Sequence, residues 1–285
     1  MRAWLIVNPS SGSVPGDHGM AAVAAEAGIA IVATTVFPDA PLPTPDALSA
    51  AGAELLILFA GDGTINAAAS GLDGWAGPVL ILPGGTMNML ARDLHGAASP
   101  AEILAAAGTG AGTRPLPPRI PLPFVAAGEH RAYVALIAGP PSVWARAREA
   151  IRKGRLSAAW RATRLAWARS FAGGVRLRGA RRDRRHRAVT IMPRPGGLEV
   201  AAIDIDGWLQ AARLGIEWLG GDWRASPHIG LSHRDQAVLE GGRSIHLLFD
   251  GEAVKLPAPV RVTHGMTRLT FIRTLPPAAD AEEGA

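Results

Sequence analysis

Residues 54–66 read Glu-Leu-Leu-Ile-Leu-Phe-Ala-Gly-Asp-Gly-Thr-Ile-Asn. The run Leu55–Phe59 is apolar at odd and even positions alike, as in a strand buried on both faces of a parallel sheet. Gly61 and Gly63 bracket Asp62 and allow a sharp turn whose N–H groups can face a ligand. Thr64 is placed to cap a following helix, whose N-terminus carries positive potential. A strand, a Gly-Asp-Gly turn and a helix start together make a place for phosphate, metal, or both. Alone, Gly-Asp-Gly is also an ordinary turn.

Two further stretches have the same build. Pro78–Leu82 (PVLIL) runs into Pro83-Gly84-Gly85-Thr86-Met87-Asn88, and Trp4–Val7 runs into Asn8-Pro9-Ser10-Ser11-Gly12-Ser13. Three strands ending in Gly- and Ser/Thr-rich loops would line up at the carboxyl edge of an open parallel sheet, where ligands bind. None of the three is a P-loop or a G-x-G-x-x-G fingerprint. The loops offer backbone N–H groups and the hydroxyls of Ser11, Thr64 and Thr86 as a phosphate cradle. Asn8, Asn66 and Asn88 are uncharged and can approach phosphate or ribose without repulsion. Asp62 is the carboxylate nearest that cradle.

Asn8-Pro9-x-Ser11-Gly12, Gly61-Asp62-Gly63-Thr64-x-Asn66, Gly84-Gly85-Thr86-x-Asn88 and the late Asp250-Gly251-Glu252 resemble, in order and spacing, the diacylglycerol kinase catalytic domain superfamily. That superfamily includes sphingosine kinases and YegS-like bacterial lipid kinases. The resemblance implies an ATP-dependent, Mg²⁺-requiring phosphotransferase of phospholipid metabolism, acting on a hydroxyl of diacylglycerol or a related lipid. It implies that Asp62 and Asp250 are catalytic, with Asp62 on metal-linked phosphate or on the hydroxyl proton and Asp250 as general base. Nucleotide contacts are expected at Asn8, Ser11, Gly12, Gly61, Gly63, Thr64, Asn66, Gly84, Gly85, Thr86, Asn88 and Glu252, and Mg²⁺ contacts at Asp62 and Glu252. Asp250 and Glu252 would share one side of an extended segment; an Asp-Gly hairpin is the plain alternative. The sequence departs from the family pattern at Ala60, Ala67 and Met89. A kinase with a soluble acceptor, or a silent nucleotide- or lipid-binding module, are the other functions considered.

Strands at Trp4–Val7, Ile29–Thr35, Leu55–Phe59 and Pro78–Leu82 alternate with helices at Met20–Ala27, Pro45–Ala51, Ile65–Leu72, Met87–Leu94 and Pro100–Ala107. This alternation predicts a doubly wound α/β domain over residues 1–112. Strands at His130–Ala138, Ala188–Met192, Leu198–Ile205, Ala237–Leu239, Ser244–Phe249, Val260–Thr263 and Arg268–Ile272 predict a mainly antiparallel domain over 113–275. The resemblance makes that domain a β-sandwich, with the active cleft between the two. Residues 276–285 read as a disordered tail.

The 285 residues include no cysteine, which excludes a disulfide framework and thiolate metal sites. No apolar run is long enough to span a bilayer and the N-terminus lacks a signal peptide's pattern, so a cytoplasmic chain is expected, peripheral at the inner membrane face. The net charge of +5 is unevenly spread: residues 144–187 carry 14 Arg, one Lys, one Glu and one Asp, leaving a balance of −8 elsewhere. Within this segment a helix over Val143–Phe171 would place Arg152, Arg155, Trp160, Arg164 and Trp167 for an anionic membrane surface; a solvated arginine face is the bland alternative. No nucleic-acid motif accompanies the charge. A homo-oligomer is compatible with the sequence. The eight histidines show no metal-ligand spacing.

Overall fold

The computed structural model describes residues 1–11, 19–72, 74–85, 88–108, 117–139, 174–180, 184–203 and 229–275. Outside these lie Gly12, Thr86, the helix expected over Val143–Phe171 (with Arg152, Arg155, Trp160, Arg164 and Trp167), and the tail. The chain divides into two units, Met1–Leu122 together with the chain from Thr267 onward, and Pro123–Met266.

In the first unit the strands β1 (Arg2–Val7), β2 (Ala30–Val36), β3 (Leu55–Ala60) and β4 (Pro78–Pro83) pair in parallel in the order β2-β1-β3-β4. The helices are α1 (Met20–Glu26), α2 (Pro45–Ala50), α3 (Asp62–Gly71), α4 (Met89–His95) and α5 (Pro100–Ala107). Leu5, Val7, Leu55, Ile57, Leu80 and Leu82 pack with Ala24, Ile103, Leu104 and Ala107 in one cluster. The alternate residues Ile6, Leu56, Leu58 and Ile81 are equally buried, so both faces are covered. That is why these strands read as unbroken apolar runs. α5 begins with a reciprocal capping box between Ser99 and Glu102, whose carboxyl is held low by the Ser99 backbone and side-chain hydrogen bonds.

The second unit is antiparallel. Its strands are β5 (Arg119–Ala127, entering from the first unit), β6 (His130–Ala132), β7 (Leu136–Ala138), β8 (Val175–Leu177), β9 (Arg185–His186), β10 (Ala188–Arg194), β11 (Gly197–Ile203), β12 (Ile229–Arg234), β13 (Gln236–Glu240), β14 (Ser244–Phe249), β15 (Glu252–Pro257) and β16 (Val260–Ile272). One sheet runs β12-β11-β10-β7-β14-β15. The other contains β16-β13-β8-β9, with β5 and β6 joined at β16. Val189, Ile191, Leu198, Val200, Leu247 and Phe249 of the first meet Val125, Val175, Leu177, Leu239, Val260 and Val262 of the second in a single core. This is the expected sandwich.

The unit boundaries differ from the expected division after residue 112, with the second domain running to 275. The cause is β16, expected as two strands but continuous. Its first half pairs with β13 through Val260–Thr263, while Thr270 and Phe271 pair in parallel with Pro78 and Val79 of β4. The end of β16 is therefore a fifth strand of the first sheet. His95 fastens it: Nδ1 lies 2.8 Å from Thr274 Oγ1, and burial pushes the imidazole down to about 4, the Ile81 backbone acting the other way.

Candidate functional site

β1 has β2 on one side and β3 on the other, and the chain leaves β1 toward β2 but leaves β3 toward β4. The loops after β1 and β3 therefore diverge, which makes their carboxyl ends the switch point of the sheet, the place where α/β layers bind ligands. Asn8 N–H donates to the Phe59 carbonyl at 3.2 Å, so the two ends are adjacent.

Three of the predicted loops meet there. A Cβ added to Gly61 would lie 3.3 Å from Ser11 Oγ, and one added to Gly85 would lie 2.8 Å from Gly61 Cα. The backbones at 61 and 85 approach so closely that position 85 has no room for a side chain. Gly84 and Gly85 are buried, whereas Ser11, Gly61, Asp62 and Gly63 remain partly exposed.

The side chains that tie the loops together are those expected to touch nucleotide. Asn8 Nδ2 donates to Thr64 Oγ1 at 2.8 Å, and Asn8 Oδ1 accepts from the Ser10 amide at 2.9 Å. Asn88 Oδ1 accepts from the Gly85 amide, with Asn88 in the left-handed region at φ 49. Thr64 does not cap α3, as expected from its position after the turn. The helix begins earlier, with Gly61 as the N-cap, and the Thr64 and Ile65 amides donate to the Gly61 carbonyl at 3.0 and 3.1 Å. Asp62 thus stands in the first turn of α3, where a carboxylate complements the dipole. Asn66 follows one turn later, within 3.4 Å of Ser70 Oγ.

Asp62 also spans to the third loop. Its two carboxylate oxygens receive the Met89 and Leu90 amides at 3.4 and 3.5 Å, the opening amides of α4. Sequence reasoning missed this tie; the signal was the Gly-Gly-Thr-Met-Asn run, which leaves helix-start amides needing an acceptor. Ala60, a departure from the family pattern, is fully buried in the sheet, so its methyl points into the core. Met89 opens α4, and the exposed Ala67 lies midway along α3. Arg92 is exposed on α4.

The late acidic motif is a turn, not the extended segment expected. Phe249 pairs with Glu252 across a two-residue connection, Asp250 at φ 44 and Gly251 at φ 96. Positive φ at both centres is the turn that Asp-Gly favours in hairpins. Asp250 Oδ2 accepts the Tyr133 amide at 2.7 Å, and Oδ1 accepts the Val134 and Ala135 amides at 3.0 Å each. The Asp250 amide returns a bond to the Ala135 carbonyl at 3.1 Å. That is why the strand expected over His130–Ala138 is broken into β6 and β7. Glu252 opens β15 and is exposed. Among the described residues no group of three or more His, Cys, Asp or Glu could hold a metal, and no helix is long and apolar enough to cross a membrane.

Residues 2–115 match the family model of the diacylglycerol kinase catalytic domain. The superfamily resemblance of the loop motifs is thereby shown for that stretch. Among curated proteins no match is found. Three solved structures from Bacillus anthracis str. Sterne resemble the chain. One, of a diacylglycerol kinase, is 17% identical with a TM-score of 0.61, over 95% of this chain and 96% of the other. Two more, of candidate diacylglycerol kinases, are each 20% identical with TM-scores of 0.63 and 0.62, over 95% of this chain and 97% of theirs. At such identities the likeness speaks for the fold, an α/β region followed by an antiparallel one.

Proposed function

We propose that this chain, with a diacylglycerol kinase catalytic domain over residues 2–115, transfers the γ-phosphoryl group of ATP to a hydroxyl of diacylglycerol or a related lipid. The observation that carries the reading is the convergence of Ser11, Gly61 and Gly85 from three strand ends, with Asp62 beside them. Phosphoryl transfer depends mostly on positioning and electrostatics rather than on covalent work by the protein. The site fits a polyphosphate: its closest backbone approach is made by glycines, beside the positive N-terminal end of α3. It also fits Mg²⁺, which needs only one or two carboxylates when phosphates complete its shell, and Asp62 would supply one. ATP with Mg²⁺ supplies the transferable group and screens its charge.

The chain's own residues do the rest. Asn8, Thr64 and Asn88 hold the loop backbones in register, so their contribution is to preorganise the cradle. Ser11 offers a hydroxyl at its rim. Asp62 takes the proton of the acceptor hydroxyl. Asp250, held by three amides, anchors the hairpin that carries Glu252, and in this proposal it is not the base.

The test is to incubate purified protein with γ-labelled ATP, Mg²⁺ and a panel of extracted lipids. A labelled lipid, absent with Asp62→Asn, is the expected result. Measurable nucleotide binding without a labelled product across the panel overturns the lipid reading and points to a soluble acceptor or a silent binding module.

A further inference from the structure

The outward face of the strands β9, β8, β13 and the first half of β16 is a basic surface, and it lies within the second unit. Residues directly opposite in antiparallel strands point to the same side. Arg185 pairs with Arg176, Arg176 with Glu240, and Arg261 with Val238, two residues before Glu240 on the same strand. Arg178, two residues after Arg176, shares the face and donates from Nε to Glu240 Oε1 at 2.7 Å. The opposite parity, Val175, Leu177, Ala237, Leu239 and Val262, is core. Alternation therefore fixes the orientation: four arginines and one glutamate stand together on the solvent side, the arginines all exposed. Arg176, Arg185, Glu240 and Gly241 line a shallow hollow of about 140 Å³.

We infer that this face is where the protein rests on an anionic bilayer, the hollow between Arg176 and Arg185 receiving a lipid phosphate. The inference deepens the lipid-acceptor reading and rests on it for its biological purpose, though the charge pattern stands without it. Guanidinium groups pair with phosphate through two donors at once, and several basic groups on one surface add their attraction to anionic lipid. Gln236, Val238 and Thr263 complete the face, and none of these residues is aromatic. Single-stranded nucleic-acid sites interleave basic groups with aromatic platforms on which bases stack. A membrane is thus the partner that this chemistry favours.

Vesicle co-sedimentation of the full chain tests it. The vesicles are phosphatidylcholine alone or with about one-third phosphatidylglycerol, at low and high salt. Wild-type protein is expected to pellet with the anionic vesicles only, and to be released by salt. Arg176→Gln with Arg185→Gln should weaken that partitioning roughly tenfold or more, with an unchanged thermal transition. Arg119→Gln with Arg268→Gln, exposed charges outside this unit, should leave it within about twofold. Failure of the wild type to pellet, or equal losses in both double variants, overturns the inference. Displacement from vesicles by a single-stranded oligonucleotide, lost in the Arg176/Arg185 variant, reassigns the face to nucleic acid and also overturns it. The kinase reading fails separately. Phosphorylation of detergent-dispersed lipid by a protein that ignores vesicles sinks only the docking face, whereas vesicle binding without any labelled product sinks only the kinase.

Discussion

Two acidic turns in this chain look alike on paper and are built for different work. Gly61-Asp62-Gly63 and Asp250-Gly251-Glu252 each set an aspartate beside glycine at the end of an apolar strand. Asp250 receives three amides at 2.7 to 3.0 Å and holds a left-handed backbone to do so. Asp62 sits in relaxed helical backbone and reaches two amides at 3.4 and 3.5 Å, near the outer limit of a useful hydrogen bond. Short, multiple bonds mark a carboxylate whose task is the architecture around it. In the proposed function, the longer contacts at the head of two helices let Asp62 exchange these partners when substrate arrives.

The comparison breaks most visibly if Asp62→Asn stays active. Asparagine keeps the size and one acceptor oxygen, so folding should shift by less than about 1 kcal/mol, while phosphoryl transfer falls about 10³-fold. Steady-state kinetics beside a thermal melt gives both numbers. Asp250→Ala should do the reverse. It leaves the amides of Tyr133, Val134 and Ala135 without their carboxylate, two of them in buried residues, at a cost of about 3–4 kcal/mol by denaturant titration.

His95 sharpens the contrast, because it closes α4, the helix whose opening amides face Asp62. Native His95 takes a proton only at about pH 4, against 6.5 when unfolded. Between those values the unfolded chain binds more protons, so this contribution is complete above about pH 6.5 and is lost as pH falls toward 4. The loss is about 3 kcal/mol at most, and His95→Gln should flatten the wild-type slope in that window. The smallest effects come from the glycines. Gly85→Ala forces a Cβ to 2.8 Å from Gly61 Cα and should destabilise by about 2 kcal/mol and weaken nucleotide binding. Gly61→Ala meets the Ser11 side chain at 3.3 Å and the Gly85 backbone only at ordinary contact distance, 3.6 Å, and should cost less than about 1 kcal/mol.

How much of this could be read beforehand follows the range of the forces. β1, β3 and β4 were legible because apolar runs ended by glycine report local geometry, and Pro100–Ala107 was read to the residue behind a proline start. Thr64 was misplaced as a cap because both Gly61 and Thr64 suit that position, and only the carbonyl of Gly61 shows which was taken. The break in His130–Ala138 was invisible, since the residue causing it lies more than a hundred positions away. The continuity of β16 was equally hidden: Gly265 and Met266 look like an interruption, yet pairing on both halves carries the strand through. For Asp250-Gly251 the local pattern pointed to the hairpin and the family resemblance pointed to chemistry. The hydrogen bonds support the local pattern.

The most direct test follows amide hydrogen exchange in the wild-type protein with and without Mg²⁺ and ATP. Slowed exchange at Ser11, at Asp62 and Gly63, and at Gly85, all saturating at one nucleotide concentration, is the predicted result. Protection confined to one of these loops, or saturating at different concentrations, would contradict a single triphosphate site at the switch point.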